Sequence, residues 1–136
     1  MRGRALMLAV TSGLLLTLVW SGSAIAHVTK FETTLTIKKA PSGAVDPGDE
    51  VLVFGKVKPA KCQDGQKISL FKVTPGSDNK IGTDKIDADG EYSFSLHPRS
   101  DMHVYAKVPK KVVVSSYQHS HTCKADKSDT IAINVS

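Results

Sequence analysis

The heptapeptide E-Y-S-F-S-L-H, residues 91–97, alternates from end to end. Tyr92, Phe94 and Leu96 are apolar, and Glu91, Ser93, Ser95 and His97 are polar. Period-two alternation sends the two sets to opposite faces of an extended chain, which is the signature of a strand buried on one side. D-A-D-G at 87–90 comes just before it. That tetrapeptide predicts a tight hairpin turn with Gly90 at positive φ.

The same period recurs on both sides. E-T-T-L-T-I-K (32–38), E-V-L-V-F-G-K-V (50–57), K-I-S-L-F-K-V (67–73), K-I-G-T-D-K-I (80–86), M-H-V-Y-A-K-V (102–108) and T-I-A-I-N-V (130–135) complete about seven short strands. Val112–Val114 is an eighth strand or a continuation. Pro, Gly, Asn and Asp collect between the runs, as in P-S-G-A-V-D-P-G-D and T-P-G-S-D-N, where they supply turn conformations. No 3.6-residue apolar repeat interrupts the pattern after residue 26. The expectation is one all-β domain, a Greek-key β-sandwich, over residues 27–136.

Residues 1–26 read differently. Arg2 and Arg4 precede an apolar run from Ala5 to Trp20, and Ala24-Ile25-Ala26 is an A-x-A cleavage site. This is the anatomy of a secretory signal peptide. Cleavage would leave 110 residues beginning at His27, with no stable membrane span, and the expected location is secreted or extracytoplasmic. Without Arg2 and Arg4 the 18 basic residues fall to 16, against 13 acidic. The resulting charge of +3 is mild, and the lysines are scattered along the chain, so nucleic acid is not an expected partner. Cys62 and Cys123, the only two cysteines, are expected to form a disulfide in an oxidising compartment.

Two stretches carry a resemblance. T-T-L-T-I followed by A-V-D-P-G-D-E-V-L-V-F-G-K-V resembles the first two strands of bacterial Ig-like domains. I-G-T-D-K-I-D-A-D-G-E-Y-S-F resembles the T-D-x-x-G-x-Y-x-F hairpin of prealbumin-like and carboxypeptidase-regulatory-like sandwiches. With Cys62 and C-K-A-D-K-S at 123–128, the chain resembles small exported Ig-like proteins common in actinobacteria. That resemblance implies the fold and says little of function, since such sandwiches host many roles. The hydroxyisourate hydrolases of similar fold end in Tyr-Arg-Gly-Ser; this chain ends I-A-I-N-V-S, so that activity is not implied.

No nucleophile elbow, H-E-x-x-H, phosphate loop or C-x-x-C occurs in the sequence, and the protein is not expected to be an enzyme. The expected function is a secreted, non-catalytic binding or structural module, whose partner is an extracellular protein or glycan. An alternative starts from His27. As a mature N-terminus it would offer Cu(II) both an amine and an imidazole, and His119 or His121 would add further nitrogen. Periplasmic copper carriers and the copper monooxygenases of polysaccharides resemble this chain in having such a histidine after the cleavage site. His119 and His121 are two apart in Y-Q-H-S-H-T-C (117–123). In a strand they would share a face, whereas in a loop they would be a polar approach to Cys123.

Overall fold

Val51, Val53 and Val57 share one parity of the run at 50–57, and all three are buried, while Leu52 and Phe54 between them are exposed. This is the alternation expected of a strand with one face on a core. The computed structural model describes residues 27–116 and 119–136. The expected signal peptide, residues 1–26, lies outside them, as do Tyr117 and Gln118.

Among the described residues every regular element is a strand apart from one 3₁₀ turn at Ala60–Cys62. The strands are β1 (His27–Phe31), β2 (Thr34–Leu35), β3 (Lys38–Ala40), β4 (Val51–Lys58), β5 (Lys67–Lys72), β6 (Asn79–Lys85), β7 (Glu91–Leu96), β8 (Met102–Val108), β9 (Lys111–Ser116), β10 (His119–Cys123), β11 (Asp126–Lys127) and β12 (Ile131–Ile133). They form three sheets. In the first, β4 pairs antiparallel with β7, β2 and β3. In the second, β8 and β6 flank β5, and β11 and β12 pair with β8. The third has the order β1-β10-β9. Among the described residues no helix is long and apolar enough to cross a membrane.

The first two sheets enclose the core as a β-sandwich. Val51, Val53, Val57, Tyr92 and Phe94 come from one sheet, and Ile68, Leu70, Val104, Ala106, Val108 and Ile133 from the other. Tyr92 and Phe94 meet edge to face with centroids 5.9 Å apart, a favourable arrangement for two rings.

Two local expectations are corrected. The run at 32–38 is two short strands, interrupted at Thr36 and Ile37. There the Thr36 carbonyl accepts the Tyr92 hydroxyl at 2.5 Å, across an inner-sheet gap that Gly55 leaves open. Burial pushes the Tyr92 phenol well above its ordinary ionisation range. The D-A-D-G turn forms, with Gly90 at φ 78°, and Asp87 Oδ1 accepts the N–H groups of Asp89 and Glu91, each at 2.9 Å. It does not close a hairpin. β6 is laddered to β5 and β7 to β4, so the turn carries the chain from one sheet to the other. With β7 beside β4, Tyr92 and Phe94 face the core.

Candidate functional site

Every candidate residue from the sequence lies in or against the third sheet. β1 runs parallel to β10, pairing His27 with His119, Thr29 with His121 and Phe31 with Cys123. Paired residues share a face, so His27, His119 and His121 are on one side of the sheet. Of the stretch expected to be either strand or polar loop, His119–Cys123 is strand, and its two histidines do share a face.

The rings of His27 and His119 are 6.4 Å apart between centroids and 16° from parallel. The His121 ring meets Phe31 edge-on at 5.4 Å, and its Nδ1 is buried without a hydrogen-bond partner. Among the described residues no three His, Cys, Asp or Glu side chains converge as a metal cluster. His97, just past the end of β7, and His103 of β8 are exposed elsewhere and take no part.

The same face is bolted to the body of the protein. Cys123 ends β10 and forms a disulfide with Cys62 of the 3₁₀ turn, Cα atoms 5.7 Å apart and both residues buried. Lys61 lies with Nζ 4.6 Å from the centroid of the Phe31 ring, a cation–π contact that adds a second attachment. Lys124 and Glu32 form an ion pair at the end of β1. It is exposed and contributes little.

No protein-family model matches this chain, and no curated protein matches it in sequence.

The opposite face of the third sheet was not singled out by the sequence. The ladders put Val28 with Ser120 and Val114, and Lys30 with Thr122 and Val112. Val28 is 56% exposed, Val112 55% and Val114 71%. Val112–Val114 lie within β9, a strand of their own, and two of the three valines point to solvent. Period two was visible in V-V-V only as ambiguity, because a run of identical residues carries no parity.

Tyr105 shows a different departure. It falls on the outward parity of β8, yet it is 2% exposed. Phe71 stacks on it at 5.5 Å and 9°, and Lys127 Nζ sits 3.8 Å from its centroid. Its hydroxyl donates to Asp78 Oδ2 at 2.7 Å. That bond, followed by the Thr74 N–H and the nearby Lys127 and Lys107, holds the Asp78 carboxyl below its usual range. The same bond chiefly raises the Tyr105 phenol above its own.

Proposed function

We propose that the protein is an exported, non-catalytic, disulfide-locked module of Ig-like type that binds an extracellular partner through its third sheet. The observation that carries this reading is how little that sheet gives to folding. Among the described residues the apolar core draws no member from β1, β9 or β10, whose contribution to the interior is the half-cystine Cys123. Three strands that do not build the core still hold three valines open to solvent. Clustered exposed apolar side chains on a rigid sheet mark interaction surfaces. The disulfide supports an extracytoplasmic setting, where such bonds persist. A protein partner suits the valines better than a glycan, since burying them gains hydrophobic free energy.

The test compares the mature protein with a Val28→Ser/Val112→Ser/Val114→Ser variant as bait for the extracellular fraction of the source organism. Matched thermal unfolding would establish that both are folded. Capture of a partner by the parent, reduced at least tenfold in the variant, is the expected outcome. Equal capture by both, or none by either, overturns the reading.

The pairing of His27 with His119 supports a second reading, a Cu(II) site. Two imidazoles are brought opposite each other, and cleavage after Ala26 would add the His27 amine as a third nitrogen. His121 is within the same face. The donor set is nitrogen-rich, as Cu(II) prefers. EPR of the natively cleaved protein with one equivalent of Cu(II) should then give a type 2 spectrum with nitrogen couplings, lost in His27→Ala. A spectrum indifferent to that substitution removes the site.

A further inference from the structure

The outer face of the second sheet gathers residues that are far apart in sequence. The ladders set Ser69 of β5 between Thr83 of β6 and Lys107 of β8, and Phe71 between Lys80 and Tyr105. Lys127 of β11 pairs beside Lys107. The result is an open cleft of about 610 Å³, with Phe71, Ser69 and Thr83 among its lining residues and Lys67, Lys80, Lys107 and Lys127 around them.

Its charge is predominantly positive. None of these four lysines makes an ion pair within 4 Å among the described residues, where the ion pairs are Lys56–Glu91 and Lys124–Glu32. Asp78, near Lys107 and Lys127, accepts the Tyr105 hydroxyl and is not among the cleft's lining residues. The carboxylate lining the cleft, Asp126, is engaged by the protein itself: its Oδ2 accepts the Leu35 N–H at 2.9 Å. Two of the lysines are also held in place. Lys107 Nζ lies 5.0 Å from the Phe71 centroid, and Lys127 is over Tyr105. Lysines scattered over a solvated face do not usually share one aromatic pair. Here cation–π contacts fix two ammonium groups at the margin of a half-buried ring.

We propose that this cleft binds an acidic polysaccharide, with a sugar ring seated on Phe71 and its carboxylates paired with the surrounding lysine ammoniums. The chemistry of the lining favours this occupant. The half-buried Phe71 ring supplies apolar surface to the lining, and Ser69 and Thr83 offer hydroxyls that can donate and accept, as sugar hydroxyls require. The lysines supply the charge complementarity that an uncharged glycan would not use. A single-stranded nucleic acid is a poorer fit, because it needs successive stacking platforms along a groove. In this cleft Tyr105 is buried beneath its neighbours, and Phe71 is the one ring among the lining residues. The proposal does not depend on the third sheet: the two surfaces belong to different sheets.

The experiment is calorimetric titration of the mature protein with oligogalacturonate at 150 mM NaCl. Dextran, single-stranded DNA and vesicles containing anionic lipid serve as comparison ligands. Oligogalacturonate should bind and dextran should not. Lys67→Gln/Lys80→Gln, which leaves the cation–π contacts of Lys107 and Lys127 in place, should weaken binding at least tenfold. Lys38→Gln/Lys39→Gln removes the same charge from the first sheet and should change affinity less than twofold. Phe71→Leu, checked for folding by thermal unfolding, should also weaken binding at least fivefold. No binding of oligogalacturonate overturns the proposal. So does equal loss in the two lysine pairs, which would mark attraction to net charge alone. Tighter binding of DNA or of vesicles assigns the cleft to that other class instead.

Discussion

Replacing both half-cystines, as Cys62→Ala/Cys123→Ala, should cost about 4 kcal/mol of folding stability. The bond spans 61 residues of sequence. Closing a loop of that size removes conformational entropy from the unfolded chain, worth about 4 kcal/mol in the chain-entropy model. A domain of this size has a total stability of roughly 5–15 kcal/mol, so the loss is a large share of it. The unfolding temperature should drop by on the order of 15 °C or more. The effect should also have a place. Cys123 is the principal buried tie between the third sheet and the sandwich, while β4, β5, β7 and β8 are held by their own apolar contacts. Hydrogen exchange in the double variant should therefore quicken first in residues 27–31, 111–116 and 119–123. Chemical denaturation of the two proteins measures the first effect, and exchange by mass spectrometry the second. A loss below about 1 kcal/mol, or exchange that quickens equally in β4, would contradict the assignment of the disulfide as the main anchor.

That anchor was legible in the sequence, because two cysteines have one possible intramolecular pairing. So was the core. Tyr92, Phe94, Val104, Ala106 and Val108 fall on the parities that alternation assigns to the interior, and all are buried. Alternation reports which face of a strand is wet, but it is silent on which strand lies next to it. The features that escaped all depend on neighbours. His27 opposes His119 through a parallel ladder between segments at opposite ends of the domain. Lys67, Lys80, Lys107 and Lys127 look scattered until β6, β5, β8 and β11 are set side by side. A partial signal was present: Lys67, Ser69 and Phe71 share one parity of β5, and Tyr105 and Lys107 share one of β8. Each strand thus carries an aromatic and a lysine outward. The break in the strand at 32–38 was invisible for the same reason, since its cause lies on β4 and β7.

That cause yields the second large effect. Gly55→Ala should destabilise the protein by about 3–5 kcal/mol, combining overpacking with the loss of a buried hydrogen bond. An alanine Cβ at this position would stand 1.9 Å from the Thr36 carbonyl oxygen and 2.7 Å from both the Thr36 carbonyl carbon and the Tyr92 hydroxyl. Two of these three atoms are backbone, so no side-chain rotation relieves the clash. Thr36 has little freedom to retreat. Its N–H donates to the Lys56 carbonyl at 3.0 Å, and its Oγ1 accepts the Lys56 N–H at 2.9 Å. Displacing its carbonyl takes away the acceptor of the Tyr92 hydroxyl, on a residue only 3% exposed. Against this, replacing glycine stabilises through the unfolded chain by only about 0.4–1 kcal/mol, so the steric term wins. Tyr92→Phe alone should cost about 1 kcal/mol, the net worth of one hydrogen bond. In that background Gly55→Ala should cost less than it does in the parent, because the hydroxyl contact is gone, but most of the penalty should persist in the clash with the Thr36 backbone. Urea denaturation of the four proteins gives the cycle. A Gly55→Ala cost under about 1 kcal/mol would show that β2 and β3 can part without resistance, and the interruption at Thr36 would then owe nothing to Gly55.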